Sequence, residues 1–499
     1  MLSPTVKTDS WKQQKIRWDE IERYMRGDRD FIDDAALAAV IGANRSPDPV
    51  RVRDIIAKSL AIETLAIDEA AALLNVTDPE LLAEMEAAAG QIKRYVYDNR
   101  IVTFAPLYLS NHCVNNCRYC GFRRENRNIR RVTLSMDEIR RETEVLCGRI
   151  GHKRLIVVYG EHPVSDIDYM VDSIAAIYDV AVPVRHGTGR IRRVNVNAAP
   201  LCIEDLKRLK TVGIGTFQVF QETYHHATYA RIHPADTIKG NYPWRLYCMH
   251  RAFEAGVDDF GIGALFGLAD WRFEVLGLLA HAHELERAVG IGPHTISFPR
   301  LEPAENTAFL QDARLRVAEA DFRKAVTVLR LAVPYTGMIL TARESADTRR
   351  ALLPLGITQI DASSRIGVGA YADGTADHVQ DNRQQFVLGD TRSLDDVIRE
   401  LAQTGTITSF CTAGYRCGRT GKRIMDLLRT GREGRFCKLN AVLTYREWID
   451  DFASPETAAA AEPVIAQEIE AIGREQPGIF ETFMNYYQRI VAGERDLYF

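Results

Sequence analysis

No apolar run in the 499 residues reaches the roughly 18 needed for a membrane span. The segment Met1–Ile16 carries Lys7, Lys12, Lys15 and Asp9 and no apolar stretch, so it does not read as a secretion signal. Charge of one sign is also missing. Lys and Arg number 63 against 67 Asp and Glu, a net charge of −4, which provides no broad basic field for phosphates. These absences argue against a membrane or a nucleic acid as partner and lead to an expected cytoplasmic location. Internal repeats and low-complexity linkers are absent too. What remains, 46% hydrophobic and 26% charged residues, is the composition of a folded globular chain too long for one small core. Nine cysteines in a reducing compartment are not a disulfide framework, so their spacing matters more than their number.

Residues 1–95 read as a helical region, with helices over Asp19–Arg26, Asp34–Ile41, Val50–Ser59, Ile67–Leu74 and Asp78–Lys93. From Ile101 the pattern changes to short β-prone runs alternating with amphipathic stretches. The strands fall at Ile101–Leu109, Arg154–Tyr159, Arg193–Asn197, Thr216–Phe220, Asp259–Ala264, His294–Pro299, Gly337–Thr341 and Ile357–Asp361. Helical crossovers separate them, among them Met136–Ile150, Arg245–Ala255 and Arg272–Val289. Eight such strands fit a closed α/β barrel, (β/α)8, over residues 96–389 better than an open doubly wound sheet. A mainly helical C-terminal extension, 390–499, follows, with helices at Asp390–Thr404 and Thr457–Ile472.

Cys113-Val-Asn-Asn-Cys117-Arg-Tyr-Cys120 places three thiols on the loop after the first strand. A loop there is at the surface, where free thiols are a liability, so a soft metal centre is their natural use. Structural zinc needs a fourth ligand, for which the loop offers His112. A 4Fe–4S cluster held by three cysteines leaves one iron open to a ligand. Strand ends add polar candidates that should gather at one mouth: Gly160 and Glu161, Asn195 and Asn197, and Glu222.

This spacing, with Tyr119 before the last cysteine, resembles the radical SAM superfamily. The resemblance implies a 4Fe–4S cluster on Cys113, Cys117 and Cys120 and S-adenosylmethionine (SAM) chelated by the open iron. An external one-electron donor then drives SAM cleavage to a 5′-deoxyadenosyl radical. Tyr119, Gly160, Glu161, Asn195, Asn197, Glu222 and Arg245 become the expected cofactor-binding residues, Glu161 near the methionine ammonium and Arg245 near the carboxylate.

Longer segments are more specific. Gln218-Val-Phe-Gln-Glu-Thr-Tyr-His225, the run Asp258–Glu274, Gly292-Pro-His-Thr-Ile-Ser-Phe-Pro-Arg300 and Arg495-Asp-Leu-Tyr-Phe499 resemble the tyrosine-lyase branch. Length and the extension favour its iron–iron hydrogenase maturase group over the shorter thiamine-pathway group. The resemblance implies cleavage of tyrosine to p-cresol and dehydroglycine (2-iminoacetate). In the maturases, dehydroglycine goes on to CO and cyanide at an auxiliary cluster, alongside other hydrogenase maturases. The alternatives are a 2-iminoacetate synthase for thiazole formation, a paralogue acting on another amino acid, and a non-catalytic iron–sulfur scaffold. For the amino-acid substrate, Arg300 and Arg343 are the expected carboxylate clamp, with Ser297 and Ser363 as hydroxyl partners.

Two departures stand out. The maturase pattern has cysteine at the position occupied here by Gly414, in Cys411-Thr-Ala-Gly414-Tyr-Arg-Cys417, so Cys417 is the replacement candidate beside Cys411 and Cys437 for a second iron–sulfur cluster. His294, at the start of strand six, should point to the mouth opposite the SAM site, where an imidazole could serve an extra iron. Asp361 puts a carboxylate where the family has a small polar turn. Cys147, Cys202 and Cys248 stand alone in helical contexts and read as core packing.

Overall fold

The computed structural model describes residues 11–302, 304, 313–372, 384–431 and 433–499; Lys7 and Asp9 lie outside them. Eight parallel strands close into a barrel. They are β1 (Arg100–Ser110), β2 (Arg154–Tyr159), β3 (Arg193–Asn197), β4 (Phe217–Gln218), β5 (Phe260–Gly263), β6 (Thr295–Ser297), β7 (Gly337–Leu340) and β8 (Gln359–Asp361). The ring shuts where Val102 to Phe104 of β1 pair with Gln359 to Asp361 of β8. Each strand coincides with a run expected from β-branched and apolar residues.

Side chains alternate along a strand, so every second residue faces the barrel axis. Val158 and Ile156 of β2 face inward, and Arg154 must follow them one layer down. Near mid-barrel the inward residues Phe104, Ile156 and Ile339 form their own apolar cluster with Val158. Beneath it lies a polar layer that includes Arg154, hydrogen-bonded to Gln359 at 3.2 Å, and Arg193. The barrel thus carries a polar mouth, an apolar girdle and a polar floor.

The outer helices start on side-chain caps. Ser135 and Glu138 form a reciprocal capping box on Met136–Glu144, and Asp166, Asp270 and Ser345 cap Ile167–Asp179, Trp271–Val289 and Ala346–Leu352. N-terminal helices form a second layer: Ile67–Leu74 packs on Trp271–Val289, and Pro79–Tyr97 on Glu319–Ala332. The expected helix over Asp19–Arg26 does not form. Two 3-10 turns, Trp18–Glu20 and Glu22–Tyr24, stand in its place, because Ile21 is drawn fully into the core and Gly27, at φ +62°, turns the chain. The helix expected over Arg245–Ala255 begins earlier and breaks at Tyr247, giving Tyr242–Leu246 and Cys248–Glu254.

The C-terminal extension joins the barrel through β9 (Ile407–Ser409), which pairs in parallel with Arg100 to Val102 at the lower end of β1. Helices Glu433–Phe452, Pro455–Glu475 and Pro477–Val491 pack on one another. The fully buried Glu447 ties this layer to the barrel, ion-paired with Lys153 at 3.1 Å and Arg192 at 2.8 Å and accepting from the Asp496 amide at 2.6 Å. Among the described residues, no helix is long and apolar enough to cross a membrane.

Candidate functional site

The upper mouth encloses a cavity of about 210 Å³. All three thiols of the Cys113 loop line it. Main-chain bonds brace the loop: the Val114 amide donates to Glu161 O at 2.8 Å, Arg118 to Ile232 O at 3.1 Å and Arg124 to Asn115 O at 2.8 Å. Arg131 adds donations to the carbonyls of Asn111 and Phe122 at 2.6 and 2.8 Å. Gly121 is needed where it stands, since a β-carbon would lie 2.9 Å from the carbonyl oxygens of both Gln384 and Gln385. Gly160 lets the β2 turn pass the loop, because a β-carbon there would run into the His112 carbonyl.

Burial pushes the Cys113 thiol up to about 11 and that of Cys117 further still. Buried thiols of this kind are thiolates only beside a strong cation. Among the described residues no three His, Cys, Asp or Glu side chains converge tightly enough for one metal ion. The three thiols instead surround a common opening, an arrangement that suits a cluster whose ligands spread around a cube. His112, the fourth zinc ligand considered from the sequence, is not among the cavity-lining residues; its ring lies 5.3 Å from that of His162.

Polar groups stand beside the thiols. Glu161 accepts from Asn115 at 2.5 Å through one oxygen, while its buried Oε1 has no partner among the described residues. Burial raises its carboxyl pKa, a penalty that an ammonium ligand would remove. Burial alone would also raise Glu222, but Lys239 at 2.7 Å and Arg245 at 3.4 Å hold its carboxyl below the usual range. Glu222 sits at φ +72°, so its backbone is bent to deliver this side chain. Tyr119 hydrogen-bonds His233 at 3.0 Å. Gly160 and Asn197 line the cavity with these groups. Asn195 does not. It lies one layer lower on β3, accepting from the Thr216 amide at 3.1 Å.

The two candidate clamp arginines part company. Arg343 lines the cavity, lies 3.4 Å from the centre of the Phe386 ring and makes no ion pair among the described residues. Burial lowers its pKa, against the opposing pull of Glu222 and Glu302 across the cavity. Ser297 and Thr341 line the same cavity with buried hydroxyls that find no partner among the described residues. Arg300 turns away: its guanidinium meets Glu344 through Nε at 3.0 Å and through Nη2, and Glu319 at 2.7 Å. Ser363 also leaves the cavity, its hydroxyl accepting from the Leu394 amide at 2.7 Å to start the helix Leu394–Gln403. Asp361 lines the cavity but is already occupied, accepting from the Ala342 amide at 2.7 Å and Ser364 at 2.5 Å.

Lys239, Asn115 and Gln385, whose Nε2 lies 3.4 Å from Cys120 Sγ, were not singled out from the sequence. They come from loops, where no period marks an inward residue.

At the lower end, Cys411, Gly414 and Cys437 line a small cleft with Thr412 and Asn440. Cys417 does not join them: its Sγ donates to the main-chain oxygen of Phe499 at 3.4 Å. His294 faces this end, bonded through Nδ1 to Asp259 at 2.9 Å, with its ring 6.4 Å from that of Tyr415. It is not among the residues lining the cleft.

Comparison with known proteins agrees with this geometry. A family model for the radical SAM superfamily matches residues 107–276, and one for the biotin and thiamin synthesis associated domain matches 297–407. The 2-iminoacetate synthase of Salmonella typhimurium is 30% identical over 400 residues, covering 80% of this chain and 94% of that protein. A solved structure of HydG, a maturase of the FeFe-hydrogenase, superposes with a TM-score of 0.88 at 44% identity, covering 94% of this chain and all of that one (100%). HydG from Carboxydothermus hydrogenoformans gives a TM-score of 0.75 at 37% identity, covering 94% and 99% of the two chains.

Proposed function

We propose that this chain, which belongs to the radical SAM superfamily and within it to the tyrosine-lyase branch, is a carbon–carbon lyase that divides L-tyrosine into p-cresol and dehydroglycine. Cys113, Cys117 and Cys120 would hold a 4Fe–4S cluster, which with an external one-electron donor would supply the reductive cleavage of SAM. Everything else falls to the protein. Glu161 would take the methionine ammonium on its free oxygen, and Arg245, steadied by Glu222, would serve the SAM carboxylate. Arg343 holds the amino acid by its carboxylate, with Ser297 and Thr341 as hydroxyl partners, which presents the substrate amine toward the radical. The girdle of Phe104, Ile156 and Ile339 closes the cavity floor against water.

The observation that carries this reading is the buried guanidinium of Arg343, which makes no close ion pair among the described residues, beside the hydroxyls of Ser297 and Thr341 in a cavity already walled by the thiols. A buried cation of that kind calls for an anion from outside. The test is anaerobic incubation of the reconstituted protein with tyrosine, SAM and dithionite. Formation of p-cresol in step with 5′-deoxyadenosine is expected; 5′-deoxyadenosine without p-cresol overturns the reading.

The relatives' names offer two fates for the imine, hydrogenase maturation or release as 2-iminoacetate. Gly414 favours release, because the lower cleft lacks the third thiol on which the maturase reading depends.

A further inference from the structure

The maturase resemblance implies a second cluster in the extension, held by three cysteines, and the residues present do not fit it. Cys411 and Cys437 share one cleft, and the third position on that cleft is Gly414, which has no side chain to give. Nor is the gap filled by its neighbours. Among the described residues a β-carbon at Gly414 would meet nothing nearer than 3.9 Å, the side chain and carbonyl of Arg419, so no neighbour has moved in to take the place of a side chain there.

Cys417 does not line that cleft as the chain is folded. It ends the helical turn Ala413–Arg416, and two local bonds hold it there, its amide donating to Ala413 O at 3.1 Å and Gly414 O at 3.2 Å. Its thiol is spent on the Phe499 oxygen, which also accepts from Arg419 at 3.1 Å and Asn440 at 3.2 Å. Asn440 closes the arrangement by accepting from the Phe499 amide at 2.9 Å. Swinging Cys417 into the cleft would break this fastening and unwind the turn that carries Tyr415 against Thr216 at 3.1 Å.

We infer that this chain holds one iron–sulfur cluster rather than two: Gly414 removes a ligand from the lower cleft, and Cys417 fastens the 495–499 segment instead of replacing it. One consequence rests on the tyrosine reading above. The reaction ends at dehydroglycine, whose electrophilic C=N bond must be consumed by a nucleophile-adding step elsewhere. Water alone adds across it to give glyoxylate and ammonia, with no electrons exchanged.

The test counts iron and sulfide in the full chain after anaerobic reconstitution, and so is independent of any substrate. The wild type should hold about four irons and four sulfides, the content of a single 4Fe–4S cluster. Cys417→Ser should leave that count unchanged and loosen the 495–499 segment, seen as faster amide exchange. Gly414→Cys should roughly double the iron and add a second set of EPR signals on reduction. About eight irons in the wild type, falling by half in Cys417→Ser, would overturn the proposal. A folded Gly414→Cys protein that gains no iron would overturn Gly414 as the deciding position. The tyrosine reading fails separately, on the absence of p-cresol at an unchanged iron count.

Discussion

The two ends of the barrel use one device with opposite results. At the top, β1 leads into Cys113; at the bottom, β9 leads into Cys411, held at φ +47°. The upper loop is braced by Glu161, Ile232 and Arg131 from outside its own sequence, so its thiols stay turned toward one opening. The lower turn is braced too, but the bracing holds Cys417 at Phe499 and leaves Gly414 facing the cleft. Cysteine content is therefore a poor guide to cluster content. What decides is which thiols the surrounding hydrogen bonds leave free to meet.

Cys117→Ala breaks the upper end directly. SAM cleavage, followed as 5′-deoxyadenosine, should fall by about 10³-fold or more while the melting temperature hardly moves. Glu447→Gln is the opposite experiment on the lower end. It leaves the buried Lys153 with a neutral partner and Arg192 with Asp496 alone, so denaturant unfolding should lose about 3 kcal/mol with SAM cleavage retained at permissive temperature.

Within the upper end, Arg343→Ala should raise the KM for tyrosine by about 10²-fold, the worth of a charged hydrogen-bonded contact at ~1.5–3 kcal/mol. Arg300→Ala is its control: it should cost stability by stranding the buried Glu344 and leave that KM alone. Equal KM effects would erase the distinction between the two arginines.

The smallest effect lies away from both ends. His226 bonds Asp30 at 3.0 Å and Asp34 at 2.8 Å, fastening the N-terminal segment to the barrel. The bond from Asp30, working against burial and helped by Asp34, raises its pKa from 6.5 to about 9. A raised pKa in the folded state stabilises fully below the ordinary value and fades as pH rises through about 9. Melting temperature should therefore decline through that window, and His226→Gln should remove this part of the decline.

Much of this architecture was legible in the sequence. The barrel strands stand out because each is a short β-prone run between amphipathic helices, and the Cys113 loop because three thiols so close have few other uses. Arg300 and Arg343 could not be told apart, since both follow a strand end and only the partner, Glu344 or the open cavity, separates them. Ser363 looked equivalent to Ser297 for the same reason, until the loop after β8 turned it onto Leu394. Lys239 gave no signal. A single loop lysine acquires meaning only when folding sets it against Glu222.

The ring of Phe104, Ile156 and Ile339 between mouth and floor has an electrical meaning. Moving an unpaired carboxylate through an apolar layer costs many kcal/mol, whereas a small neutral molecule passes at little cost. On the tyrosine reading proposed above, these side chains oppose passage of an anionic product down the axis and favour its exit through the mouth by which its parent came in.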